Sequence, residues 1–117
     1  MPDVTIYHNP HCHASINAVA IADELGVDYR VVLYMKDRPD RAALAAIADR
    51  LVDPVADLVR KDSLFRKLGL DASDYVEREP VIDLLARRPA LLQRPIVVRG
   101  ERAIVGRPKG RIRELLA

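Results

Sequence analysis

The residues best suited to chemistry in this 117-residue chain lie together near its start. The stretch TIYHNPHCHAS, residues 5–15, holds the single cysteine, Cys12, and all three histidines, His8, His11 and His13. A thiolate is a soft nucleophile, and imidazole is the ring that titrates near neutrality. Three readings of the cluster compete: a reactive thiol, a metal site, or a polar loop without chemistry. Three imidazoles and a thiolate suit zinc or copper. However, neighbouring residues of an extended loop point in different directions, and the spacing matches no structural zinc pattern, so no metal is expected. A cysteine packed as a small hydrophobe is the bland alternative. Its Pro, His, His and Ala neighbours in a polar loop weigh against it.

Position adds to the case for a reactive thiol. VTIY (4–7) is a β-rich run closed by the turn signal HNP. From Ala14 to Leu25 the composition is helical, with Ile16, Val19, Ala20 and Leu25 on an apolar face and Gly26 as the C-cap. Cys12 therefore falls where a strand hands over to a helix. The first-turn N–H groups of a helix lack internal partners, and with the macrodipole they favour negative charge. A thiol placed there ionises more easily, and a protonated His8 close by would add to the effect. Ser15 occupies the place where a Cys-x-x-Cys pair would have its second thiol. It can cap the helix or hydrogen-bond the thiolate, but it cannot resolve a disulfide, so an oxidised Cys12 needs an outside thiol. Ala18 stands where a low-molecular-weight-type phosphatase loop would need arginine, which excludes that pattern.

Other elements must hold this loop. YRVVLY (29–34) reads as a second strand, apolar enough to be buried, and completes a βαβ unit with a parallel pair. Asp40 caps a helix carrying Leu44, Ile47, Ala48 and Leu51. Asp53-Pro54 opens another, PVADLVRK, with Asp53 as its cap and Arg60 in its last turn. DSLFRKLGL (62–70) is a short helix closed by Gly69, and EPVIDLLARRP (79–89) a helix bounded by prolines. PIVVRGERAIVG (95–106) reads as a β-hairpin. RPKGRIRELLA is a terminal helix packing Ile112, Leu115 and Leu116. The layout is α/β: one domain with a small mixed four-stranded sheet, βαβ then ββα, and a helical insertion over about 38–90. In such sheets ligands gather at the carboxyl ends of the parallel strands, where the Cys12 loop leaves the first one.

Composition sets the compartment and the partners. Half the residues are hydrophobic, enough for one core without disulfides. One cysteine fits a reducing environment. MPDVTIY has no basic region, and no segment approaches the ~20 apolar residues of a membrane span. A cytoplasmic protein with no membrane contact is expected. Fifteen of the nineteen basic residues are arginine, a fork suited to oxyanions. Acidic residues are interspersed and aromatics do not alternate with the basic ones, so no nucleic-acid partner is expected.

The loop Asn-Pro-x-Cys-x-x-Ser resembles that of the glutaredoxin-linked arsenate reductases, the ArsC type. LVRKD around Arg60, LLQRPIVV around Arg94 and VGRPKG around Arg107 look like that family's other three signatures, in order and at fitting spacings. The likeness runs from Val4 to Leu116. It implies a thioredoxin-like fold with a helical insertion, with Cys12 as the nucleophile and His8 as the residue that lowers its pKa. It implies that Arg60, Arg94 and Arg107 bind the oxyanion, with Asn9 and Ser15 in the substrate-binding loop, and that Pro95 is a cis-proline. It further implies arsenate as substrate, glutathione as co-substrate, glutaredoxin as partner and no bound cofactor. One departure is Ile16, where the family usually has a basic residue. No role passes to His11 or His13. Two other readings share the scaffold. Spx-like regulators bind RNA polymerase, but they usually carry Cys-x-x-Cys and lack the arginine set. A general glutathione-dependent thiol reductase without arsenate activity is kept open by Ile16.

Overall fold

Strand β1 (Val4–His8) turns Val4 and Ile6 to one side, where both are fully enclosed, and Thr5 and Tyr7 to the other. This period of two runs across the sheet and divides the core into two halves. Val4, Ile6, Val97 and Ile104 meet helices α1 (His13–Glu24) and α5 (Gly110–Leu116) on one face, through Ala18, Ile21, Ala22, Ile112 and Leu116. Ile96, Ala103 and Val105 face the opposite way, onto α2 (Arg41–Arg50) and α4 (Arg78–Arg87) through Leu44, Ile47, Val81 and Leu85. The computed structural model describes residues 3–117. Met1 and Pro2, the first residues of the N-terminal stretch considered above, lie outside them.

The sheet has four strands in the order β2-β1-β3-β4, with β2 spanning Tyr29–Leu33, β3 Ile96–Arg99 and β4 Arg102–Val105. β1 pairs with β2 in parallel and with β3 antiparallel, and β3 and β4 form the expected hairpin. Gly100 takes a φ of +58° in its turn, which a side chain would resist. Between β2 and β3 lie α2, the short helix α3 (Ser63–Lys67), α4 and three 3₁₀ turns. Asp40 caps α2 by accepting from the Ala43 N–H, and Asp62 caps α3 by accepting from the Phe65 N–H.

Three local expectations are corrected. Strand β2 is an edge strand, and Val31 and Leu33 are each more than a third exposed. An apolar run identifies a strand, but it does not say whether a neighbour covers it. The buried face of α1 is Ser15, Ala18, Ile21 and Ala22; Ile16 is 44% exposed and Ala20 is also exposed. The small residues lie inward because the helix packs close to the sheet. Finally, no helix follows Asp53. Val55–Leu58 is a single 3₁₀ turn, and Arg60 sits beyond it in extended chain bridged to the segment before β3.

Asp53 caps β4 instead of a helix. Its carboxylate accepts from the Val105 N–H at 2.9 Å and pairs with Arg111 at 2.7 Å. With the Leu51–Ala103 bridge and the Val52 N–H bound to the Ala103 carbonyl, it covers the free edge of the sheet. Replacing Asp53 by Ala leaves the buried Val105 N–H without its acceptor and takes from Arg111 its carboxylate partner. We expect a loss of about 1.5–3 kcal/mol, seen in urea unfolding as a lower midpoint with an unchanged m-value.

Candidate active site

The loop between β1 and α1 is shaped by its own polar groups. Asn9 and Pro10 start a turn in which the Cys12 N–H donates to the Asn9 carbonyl at 3.1 Å. The Asn9 side-chain oxygen accepts from the His11 N–H. Cys12 is the N-cap of α1, in extended conformation, so its sulfur sits over the first turn of the helix. Ser15, one turn on, is fully buried. Its hydroxyl meets His8 Nδ1 at 2.5 Å and accepts from the Asn9 N–H at 2.9 Å. The side chain of Ser15 therefore ties the loop to the end of β1, whereas its backbone N–H and that of Ala14 lower the pKa of the thiol.

Two arginines from the other half of the chain reach the same sulfur. Arg107 Nη2 donates to Cys12 Sγ at 3.4 Å, and its Nε donates to the Arg94 carbonyl at 2.7 Å. The Arg94 guanidinium also faces the sulfur. Both arginines precede cis prolines, Pro95 and Pro108. Gly106 allows this approach: a Cβ there would lie 2.8 Å from Pro95 Cγ. The Gly106 N–H binds the Pro95 carbonyl at 2.8 Å and completes the seam.

The environment decides the charge state of the thiol. Burial pushes the Cys12 pKa up. The Arg94 guanidinium and the N–H groups of Ser15 and Ala14 outweigh it, and the net shift is downward. Cys12 is largely enclosed, at 9% exposure, and the groups that lower its pKa are a cation and amides. Burial pushes the His8 pKa down, more than its Ser15 contact raises it. The thiolate is stabilised by Arg94 and the helix N-terminus, while His8 fastens Ser15.

The structure brings Cys12, His8, Asn9, Ser15, Arg94 and Arg107 together. Arg60 is held differently: its guanidinium pairs with Asp62, the cap of α3, at 3.4 Å. Among the described residues no three His, Cys, Asp or Glu side chains converge in the manner of a metal site, and His11 and His13 are exposed. Beside Arg107 opens a cleft of about 370 Å³ whose walls include Asp57, Lys61, Gln93 and Arg111. A mostly apolar pocket of about 330 Å³ lies on the other side of the loop, against His8, Pro10, Leu33 and Met35.

Tyr34 is a site neighbour that sequence reading missed. It follows β2 directly, is fully buried, and lies beside the Arg94 guanidinium. A tyrosine closing an apolar strand reads as core. The one available signal was its place at the carboxyl end of the sheet.

The ArsC family model matches residues 7–115. The chain belongs to the ArsC family. It is 36% identical to an arsenate reductase of Neisseria meningitidis over 118 residues, covering 99% of this chain and 100% of that one. It is 36% identical to an arsenate reductase of Haemophilus influenzae, covering 97% and 98%. Among solved structures, an arsenate reductase from Vibrio cholerae superposes with a TM-score of 0.85 at 30% identity, over 97% of each chain. The fold is thioredoxin-like, as the motifs of this ArsC-family chain imply.

The contacts at the sulfur generate a pH prediction. Alkylation of Cys12 by iodoacetamide should rise with pH about a midpoint below the ordinary thiol value of 9.0. Below that midpoint the sulfur is protonated and slow; above it the thiolate dominates and the rate levels off. Arg94→Gln should move the midpoint upward, while His8→Gln should leave it nearly in place.

Proposed function

We propose that this protein reduces arsenate to arsenite with Cys12 as the nucleophile and glutathione and glutaredoxin as the source of electrons. The observation that carries this reading is a thiolate-stabilising site at a helix N-terminus, faced by two guanidinium groups, in a chain of the ArsC family. The arsenate reductases to which it is similar along nearly its whole length support the substrate.

Arsenate is a tetrahedral, phosphate-like dianion. Arg94 and Arg107 bind its oxygens and offset charge as the Cys12 thiolate attacks arsenic. Arg60 joins them if its Asp62 pair opens. An As–S bond forms and a protonated oxygen leaves as water. No second cysteine exists in the sequence, so the next thiol is external. Glutathione adds through its sulfur and a second water leaves. The cleft beside Arg107, with Lys61 and Arg111 on its walls, has room and positive charge for the carboxylates of that tripeptide. A glutaredoxin thiolate then attacks the glutathione sulfur. The new S–S bond takes up that sulfur, and the former As–S pair stays on arsenic. Two thiols are thereby oxidised to a disulfide as As(V) becomes As(III). Water releases arsenite and returns Cys12. His8, Ser15 and Asn9 keep the loop in shape through these steps. The chemistry suits a reducing compartment such as the cytoplasm, and no helix among the described residues is long and apolar enough to cross a membrane.

A regulator of the Spx kind or a plain thiol reductase would use the same scaffold. The guanidinium pair at the sulfur favours an oxyanion substrate over both. The deciding assay runs arsenate, glutathione and glutaredoxin beside a small mixed disulfide. We expect arsenate turnover, abolished in Cys12→Ser. Arg107→Ala should lower kcat/KM for arsenate about ten- to a hundredfold, as the loss of one charge-assisted hydrogen bond implies. Full arsenate reduction by Cys12→Ser sinks the proposal. Turnover of the mixed disulfide alone would favour the thiol reductase, and co-purification with RNA polymerase the regulator.

A further inference from the structure

Only two buried side-chain nitrogen or oxygen atoms among the described residues lack a hydrogen-bond partner: the Tyr34 hydroxyl and Arg94 Nε. They belong to neighbouring residues, and one of the two touches the nucleophile. The sheet register explains the meeting. His8 pairs with Leu33 on one side, and Tyr7 pairs with Ile96 on the other. Continuing both ladders by a step or two sets position 34 and position 94 on either side of Asn9, at the end where the Cys12 loop leaves. Tyr34 packs in the same half of the core as Ile96, so both long side chains lie on that face.

A hydroxyl enclosed at 0% exposure without a partner is costly. Phenylalanine would fill the same space without the cost. The hydroxyl thus calls for a reason beyond packing, and the guanidinium beside it supplies one. Arginine is a donor only, whereas a phenol oxygen accepts. A slight turn of the Arg94 side chain pairs an N–H with this oxygen, while the rest of the fork still faces the sulfur.

We propose that Tyr34 is a positioning residue of the site, its enclosed hydroxyl steering the Arg94 guanidinium onto the Cys12 sulfur. This rests on Cys12 being the nucleophile with Arg94 as its counter-ion, and it does not depend on arsenate being the substrate. Both the sulfur and the phenol favour the charged guanidinium, against the burial that opposes it. The hydroxyl keeps that charge where the thiolate needs it.

The test is Tyr34→Phe, read by the pH profile of Cys12 alkylation and by thermal unfolding. The alkylation midpoint should move up by about 0.5–1 in pH, the scale of one ordinary hydrogen bond. Thermal unfolding establishes that the variant is folded across the pH range of the profile. In an Arg94→Gln background the same substitution should move the midpoint no further. An unmoved midpoint in Tyr34→Phe, or an equal shift without Arg94, overturns the proposal. If the variant does not fold, fluorotyrosine NMR of the unmutated sequence decides: the position-34 signal should titrate with the Cys12 midpoint, and a signal flat through it overturns the idea. None of these readouts requires arsenate turnover. A protein that shows the shift yet leaves arsenate untouched would refute the substrate and keep Tyr34 in place.

Discussion

The structure turns on the charge balance around one sulfur. A thiolate taken out of water loses solvation, and burial alone would keep Cys12 protonated. Two kinds of compensation reverse this. The first turn of α1 offers N–H groups at a fixed distance, and arginines from the far end of the chain offer full positive charge. The amides come with the helix. The arginines require the whole fold, since Cys12 and Arg107 are 95 positions apart. Each layer of the molecule bears on that meeting. β3 beside β1 brings Arg94 to the loop, and the hairpin return through β4 brings Arg107 after it.

Precision at the site comes from satisfied polar groups behind it. Ser15 is fully buried, and its hydroxyl serves His8 and the Asn9 N–H together. A buried hydroxyl with partners on both sides fixes the path of the loop; the same hydroxyl without them would weaken it. On the opposite wall, Gly106 lets β4's exit lie against Pro95, and Arg107 then binds the Arg94 carbonyl. The two arginines are coupled through backbone as well as through the sulfur. Asp53 holds that wall from behind by gripping Val105 and Arg111, so a residue remote from the sulfur helps shape the cleft beside it.

Stability and chemistry pull apart at one place. Nearly every buried polar side-chain atom among the described residues finds a partner; of the two that do not, one belongs to Arg94, which faces the nucleophile, and the other to its neighbour Tyr34. Such concentration is what a site prepared for a charge change looks like: groups needed for part of a reaction cycle cannot all be paired throughout it. The exposed apolar side chains of Leu33, at the end of β2, and Met35, two residues beyond it, border the loop on its other flank. The nucleophile thus lies between an apolar pocket and a cationic cleft.

Local patterns in the chain determined the elements and much of the site. β-rich and apolar runs marked the strands, Asp40 marked a helix start, and Asn-Pro-x-Cys-x-x-Ser placed a thiol at a helix N-terminus. These depend on contacts a few residues apart, which a single sequence displays directly. Tertiary structure decided what depends on neighbours remote in the chain. It made β2 an edge, turned Asp53 from a helix cap into a clasp on β4, and set small residues of α1 against the sheet. It also turned the Arg94 guanidinium to the sulfur, paired Arg60 with Asp62, and brought Tyr34 beside the site. Which of fifteen arginines meets a buried sulfur is fixed by strand pairing and burial over tens of residues, and neither is written in any local stretch of sequence.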